Sequence, residues 1–143
     1  MQKNKIKNMY KNYLAVKETN SKKWSESFFC NFFKKKDSFF LFEKNLPEGY
    51  LVARKISDEY EIISLATDIN FRRKGIASYL IKRLIRKAKK NKIKKIILEV
   101  QHNNSPAIEM YKKFDFFSIG IRKNYYKTSS GYHNALVMMR LIN

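Results

Sequence analysis

Three side chains able to move or hold protons follow one another in the second half of the chain: Glu99, Asn104 and Tyr111. Glu99 lies in the run Ile96-Ile97-Leu98-Glu99-Val100. In a strand, Ile96, Leu98 and Val100 share one face, while Ile97, Glu99 and Gln101 share the other. A carboxylate set among Ile and Leu loses hydration and becomes a stronger base near neutrality. The same pattern suits a solvated Glu on the open face of an edge strand. Tyr111, beside Met110 and near Phe114, has a phenol that can give a proton. It suits equally a core aromatic with its hydroxyl at the surface. Asn104 has a competing use as a turn residue before a helix.

A second group is basic: Arg72-Arg73-Lys74-Gly75-Ile76-Ala77, placed where a strand hands over to a helix. The first turn of a helix offers unpaired backbone N–H groups and a positive dipole end, which together suit a phosphate. Gly75 lacks the side chain that would block close approach of the backbone. Three consecutive cations add long-range attraction for a polyanion. The alternative is a basic helix start with an incidental glycine.

The elements that must position these groups are legible in the periodicity. Ile76, Ala77, Leu80, Ile81, Leu84, Ile85 and Ala88 form an apolar stripe of helical period, opposed by Lys82, Arg83, Arg86, Lys87, Lys89 and Lys90. Strands are expected at 39–42, 50–53, 61–67 and 96–100, with Asn45, Pro47 and Gly49 supplying the first turn and Ser57-Asp58-Glu59 the next. Helices are expected at 9–18 and 24–36, the latter with Ser25 as N-cap. A shorter helix runs from Ser105 to about Phe114, with Ser105 as N-cap and Pro106 at its first position. Two strands near 117–125 and 133–141 flank a turn at Ser129-Ser130-Gly131. The strand–helix–strand unit around Gly75 predicts two parallel strands, and the meander before it makes the sheet mixed.

The 143 residues, 44% hydrophobic and 15% aromatic, indicate one packed domain spanning 1–143 and exclude disorder. No apolar run approaches the roughly 18 to 20 residues that span a bilayer, so no membrane association is expected. Cys30, the lone cysteine, fits a buried small apolar residue and a reducing cytoplasm. His102 and His133 stand too isolated in the chain to support a metal site, and no metal is expected. The formal charge is +19, but 24 of the 31 basic residues are Lys and only 7 are Arg. Guanidinium is the preferred bidentate phosphate reader, so the charge reads first as compositional drift over solvated faces, with a polyanion surface as the alternative.

Taken in order, Arg72-x-x-Gly75-x-Ala77 after a strand, then Leu98-Glu99-Val100, then Asn103-Asn104-Ser105-Pro106-Ala107-Ile108-x-x-Tyr111 resemble the GNAT acetyltransferase superfamily. Within it the likeness is to the RimI-type ribosomal-protein alanine N-acetyltransferases. Trp24-Ser25-Glu26, Arg122-Lys123-Asn124-Tyr125-Tyr126 and Ala135-Leu136-Val137-Met138 share that likeness, which runs from about residue 10 to residue 141. The resemblance implies an α/β fold of α+β type, a mixed twisted sheet of about six to seven strands flanked by about four helices. It implies acetyl-coenzyme A as co-substrate and the N-terminus of a ribosomal protein as acceptor, in the cytoplasm; the basic surface leaves open a weak association with the ribosome or RNA. A small-molecule amine or a lysine side chain is the alternative acceptor. The family's contacts to acetyl and pantetheine fall on Leu65, Ala66 and Thr67, and its pyrophosphate loop on Arg72, Arg73, Lys74, Gly75, Ile76, Ala77 and Ser78. Its general base falls on Glu99, its coenzyme-contacting asparagine on Asn104 and its general acid on Tyr111. The family usually has a longer first strand before its first helix, and here only residues 1–8 are available for one. Ser105-Pro106 stands where small residues such as Ala are common. A non-catalytic acyl-coenzyme A sensor would lack the base and acid, and a basic RNA-binding protein would display Arg and aromatics on one exposed face.

Overall fold

The computed structural model describes residues 2–18, 23–42 and 48–143. The described residues hold four α-helices and a mixed six-stranded sheet. Helices α1 (Gln2–Ala15) and α2 (Glu26–Lys34) precede strands β1 (Ser38–Phe42), β2 (Gly49–Ile56) and β3 (Glu59–Thr67). Helix α3 (Ile76–Lys90), strand β4 (Lys95–Gln101), helix α4 (Ser105–Lys113) and strands β5 (Phe117–Thr128) and β6 (Gly131–Leu141) follow. The strand order is β1-β2-β3-β4-β6-β5. The chain divides into two compact units, Met1–Lys55 with Ile63–Arg83, and Ile56–Ile62 with Leu84–Asn143.

In the first unit, α1 starts well before the expected residue 9. Ile6, Met9, Tyr10 and Tyr13 recur at helical spacing, and that stripe, not the intervening lysines, carries residues 2–8 into the helix. Residues 2–8, which a family-type first strand would need, are therefore helical. α1 also stops at Ala15, short of residue 18. The Lys17 N–H donates to Asp68 Oδ2 at 2.8 Å and the Lys17 carbonyl accepts from Ile69 N–H at 2.9 Å, which pulls the backbone off the helical path. Asp68 also accepts from Asn70 N–H at 2.9 Å and caps a single 3-10 turn, Ile69–Phe71. These two backbone donors, Lys17 first, hold its carboxyl below the usual range. Ser25 caps α2, accepting from Phe28 N–H at 3.1 Å, as its sequence predicts. The core of this unit is aromatic: Tyr13, Phe29, Phe33 and Tyr50 are buried with Ile6, Val16, Val52 and Ala66. Cys30 is half-buried beside them.

β1 pairs antiparallel with β2, from Ser38–Arg54 to Phe42–Tyr50. Of the expected turn between them, Asn45 and Pro47 lie outside the described residues. Gly49 is not in a turn but opens β2. A Cβ there would sit 2.7 Å from the Ala66 carbonyl oxygen and 2.8 Å from a methyl of Ile76, so glycine is required by close approach.

In the second unit, β3 and β4 are parallel as expected, paired from Glu59–Lys95 to Ile62–Leu98, and residues 63–67 of β3 lie beyond that ladder. β4 pairs antiparallel with β6 along its whole length, and β6 with β5. Ile96, Leu98 and Val100 are buried, as are Leu84 and Ala88 of α3. α4 is capped by Asn104, not by Ser105: the Asn104 side chain accepts from Ala107 N–H at 3.3 Å, so Pro106 is the second helical residue. Both positions suit Pro, because neither needs an intrahelical donor. At the other end, Arg140 Nε donates to the Phe114 carbonyl at 2.8 Å, satisfying a terminal acceptor.

Candidate active site

The expected phosphate segment lies in the first unit. After the 3-10 turn the chain passes through Arg73 at φ 63° and Gly75 at φ 79°, two left-handed residues within three. Turns of this kind gather successive N–H groups toward one side, a concavity suited to anions. The Gly75 carbonyl accepts from Tyr79 N–H at 2.9 Å and starts α3, whose first turn holds no acidic residue. The N–H groups of Ile76, Ala77 and Ser78 therefore keep their positive end undiminished. Arg72, Arg73, Lys74 and Gly75 are exposed, and a Cβ on Gly75 would meet no atom of the protein. Glycine is needed here for the backbone angle, and the space above it is open to a ligand.

Leu65, Ala66 and Thr67 form the end of β3, with Ala66 buried and the other two half-buried. Gly49 shows that this strand end and the helix start meet, since the Ala66 carbonyl and the Ile76 side chain both occupy the space a Cβ there would need. The first unit thus brings together the two segments the resemblance assigns to coenzyme A. Their fit to a thioester-linked diphosphate rests on this open glycine and on the uncompensated helix start.

The second unit holds Glu99, Asn104 and Tyr111. Glu99 is on a central strand rather than an edge, and its side chain is 23% exposed. The expected setting among Ile and Leu is incomplete, because Arg122 Nη1 donates to Glu99 Oε1 at 2.7 Å. The register explains how Arg122 gets there. Glu99 pairs with Val137 and Arg122 with Ala135, two residues apart on β6, so both side chains share a face. Between Ser118–Met138 and Gly120–Val137, β5 carries one extra residue, Ile119. Without that bulge Arg122 would fall opposite Asn134 and point to the other face. A second irregularity follows, from Arg122–Ala135 to Tyr126–His133. It adds two residues to β5 and so preserves the alternation. Asn124 occupies it at φ 54°, a tolerated angle for Asn, with its N–H donating to Asn134 Oδ1 at 3.0 Å. Tyr126 returns to the Glu99 face, where its hydroxyl donates to the Glu99 carbonyl at 3.4 Å.

Tyr111 is buried on α4, its ring 5.6 Å from that of Phe116. Burial, and secondarily Tyr126, push its phenol well above the usual range. Tyr126 is raised as well, first by burial and then by Glu99. Asn104 stands apart in role, its side-chain oxygen spent on capping α4. Arg122 and Tyr126 have no role in the sequence reading, although both fall in a stretch that carries the resemblance. Alternation alone hides them, because the bulge at Ile119 moves both to the opposite face of the strand. His102 and His133, isolated in the chain, are neighbours in space with ring centroids 5.7 Å apart. His133 Nε2 is hydrogen-bonded to Ser130 Oγ at 2.8 Å, and no group of three metal-ligating side chains occurs among the described residues.

The first unit thus carries an open left-handed glycine ahead of a helix, and the second a carboxylate on a strand and a buried phenol on a helix. The profile of the acetyltransferase (GNAT) family matches residues 4–116. The [ribosomal protein bS18]-alanine N-acetyltransferase of Escherichia coli K12 is 29% identical over 116 residues, covering 80% of this chain and 78% of that protein. Its counterpart in Haemophilus influenzae is 33% identical over 99 residues, covering 68% and 67%. The crystal structure of the ribosomal-protein-S18-alanine N-acetyltransferase from Escherichia coli superposes with a TM-score of 0.86 at 24% identity, covering 96% of this chain and 89% of that one. The chain belongs to the GNAT acetyltransferase family.

Proposed function

We propose that this protein acetylates the α-amine of a ribosomal protein that begins with alanine, using acetyl-coenzyme A. The observation that carries this reading is the likeness, at 29% to 33% identity over most of the chain, to enzymes named for that reaction. The two units work as one catalytic domain. Bound coenzyme supplies an acetyl group activated as a thioester. Arg72, Arg73, Lys74, Gly75, Ile76, Ala77 and Ser78 hold its diphosphate through backbone N–H groups and cationic side chains. Within Leu65, Ala66 and Thr67, the backbone N–H groups on the edge away from β2 donate to the pantetheine and the acetyl carbonyl and stabilise charge that develops on that oxygen. Asn104 keeps its side-chain NH₂ for the coenzyme while its oxygen caps α4.

The acceptor α-amine forms the new C–N bond as the C–S bond breaks. Glu99 receives the amine proton on the oxygen that Arg122 leaves free, directly or through a water. Tyr111, kept protonated by burial, donates to the departing sulfur. An α-amine, with a reference pKa near 7.7 to 8.0 against about 10.4 for lysine, is easier to deprotonate by about 3 kcal/mol. The protein acts in the cytoplasm, where its basic surface adds a weak attraction to ribosomal RNA. The test is turnover of acetyl-coenzyme A with a peptide carrying the Ala-initiated sequence of a ribosomal protein, followed by mass spectrometry of the product. Acetylation at the N-terminus is the expected result. Acetylation of an internal lysine or a small amine, with the Ala peptide untouched, would overturn it.

A further inference from the structure

Glu99 shares its face with a permanent cation. Arg122 Nη1 lies 2.7 Å from Glu99 Oε1, and the guanidinium stacks 4.2 Å over the Tyr125 ring. The Arg122 side chain is 55% exposed, and an ion pair at that exposure adds little to folding. Stability therefore does not account for a strand whose bulge at Ile119 delivers this side chain to the Glu99 face. The pair has a chemical consequence instead. A solitary carboxylate attracts any ammonium, whereas one matched by a guanidinium presents little net charge. An acceptor then gains little by arriving protonated, and the amine with the larger neutral fraction is favoured. At pH 7 that fraction is on the order of a tenth for an α-amine and below a thousandth for lysine.

We propose that Arg122 sets the amine selectivity of the enzyme: paired with Glu99, it cancels the charge that would draw in a lysine ammonium and fixes which carboxylate oxygen meets the acceptor. Arg122 is on this account a positioning and specificity residue, and the inference rests on the reading of Glu99 as the base.

The test compares two peptides, one with a free N-terminal Ala and no lysine, the other N-terminally blocked with a single lysine. The proteins are the parent, Arg122→Met, Arg122→Lys and Glu99→Gln, each checked for an unchanged melting temperature. Arg122→Met is expected to lower KM for the lysine peptide and to reduce the kcat/KM preference for the α-amine about tenfold. Arg122→Lys restores most of the preference. An unchanged preference in Arg122→Met, or an equal loss on both peptides that Arg122→Lys does not rescue, overturns the proposal. Full turnover by Glu99→Gln overturns the base assignment and this inference with it. Loss of turnover in Glu99→Gln beside an unaltered preference in Arg122→Met removes this inference alone.

Discussion

The proposed mechanism asks a carboxylate to take a proton from an amine and a phenol to give one to a thiolate, and the surroundings of the two groups differ. Glu99 is half-buried and tied by a guanidinium, while Tyr111 is buried with its phenol raised by burial. Replacing Glu99 by Gln keeps the size and removes the base. Turnover at neutral pH should fall by roughly 10²-fold or more, with coenzyme affinity nearly intact. The loss should shrink as the pH rises through 7.7 to 8.0, because the α-amine then supplies its own neutral form. A pH series of kcat/KM checks this, and an equal loss at every pH would remove Glu99 from the role of base. Tyr111→Phe keeps the ring against Phe116 and removes the donor. Chemistry should slow by roughly 10²-fold, read in single-turnover rates, with little change in melting temperature.

Elements fix where those side chains stand. The start of α3 depends on Gly75, whose φ of 79° excludes most side chains and whose Cβ direction is empty of protein. Gly75→Asp places strain and a negative charge at the proposed phosphate site. Coenzyme binding, measured by calorimetry, should fall below detection, and unaltered binding would end the phosphate-loop assignment. Asp68 ties the end of α1 to the 3-10 turn ahead of that loop by accepting from the Lys17 and Asn70 N–H groups. Its folded-state pKa is depressed, so its contribution is complete above the unfolded value of about 3.9 and disappears as pH falls through the folded value. Asp68→Ala should cost about 1 kcal/mol at neutral pH. The gap from the parent should close below about pH 4, as urea titrations at several pH values can show.

Across the whole molecule, the charge of +19 is spread along solvated helix faces such as Lys82, Arg86, Lys89 and Lys90 of α3. If that charge steers the protein to ribosomal RNA, binding to an RNA fragment should weaken steeply from 50 to 200 mM salt, while turnover of a short peptide changes little. A salt-independent affinity would assign the lysines to composition alone. What the sequence determined without help was local. The α3 stripe, the Ser25 cap and the turn at Ser57-Asp58 follow from periodicity and capping chemistry, the parallel crossover from the handedness of strand–helix–strand units, and the motif order at Arg72, Glu99 and Tyr111 from resemblance to the family. Tertiary structure decided the rest. Residues 2–8 are helical because Ile6 finds the aromatic core, and Gly49 is glycine because β3 and α3 close over it. Arg122 reaches Glu99 because one surplus residue at Ile119 reverses which face of β5 it occupies. A strand alternates with a period of two, so a single bulge inverts every later assignment, and only the pairing partner records where the bulge lies.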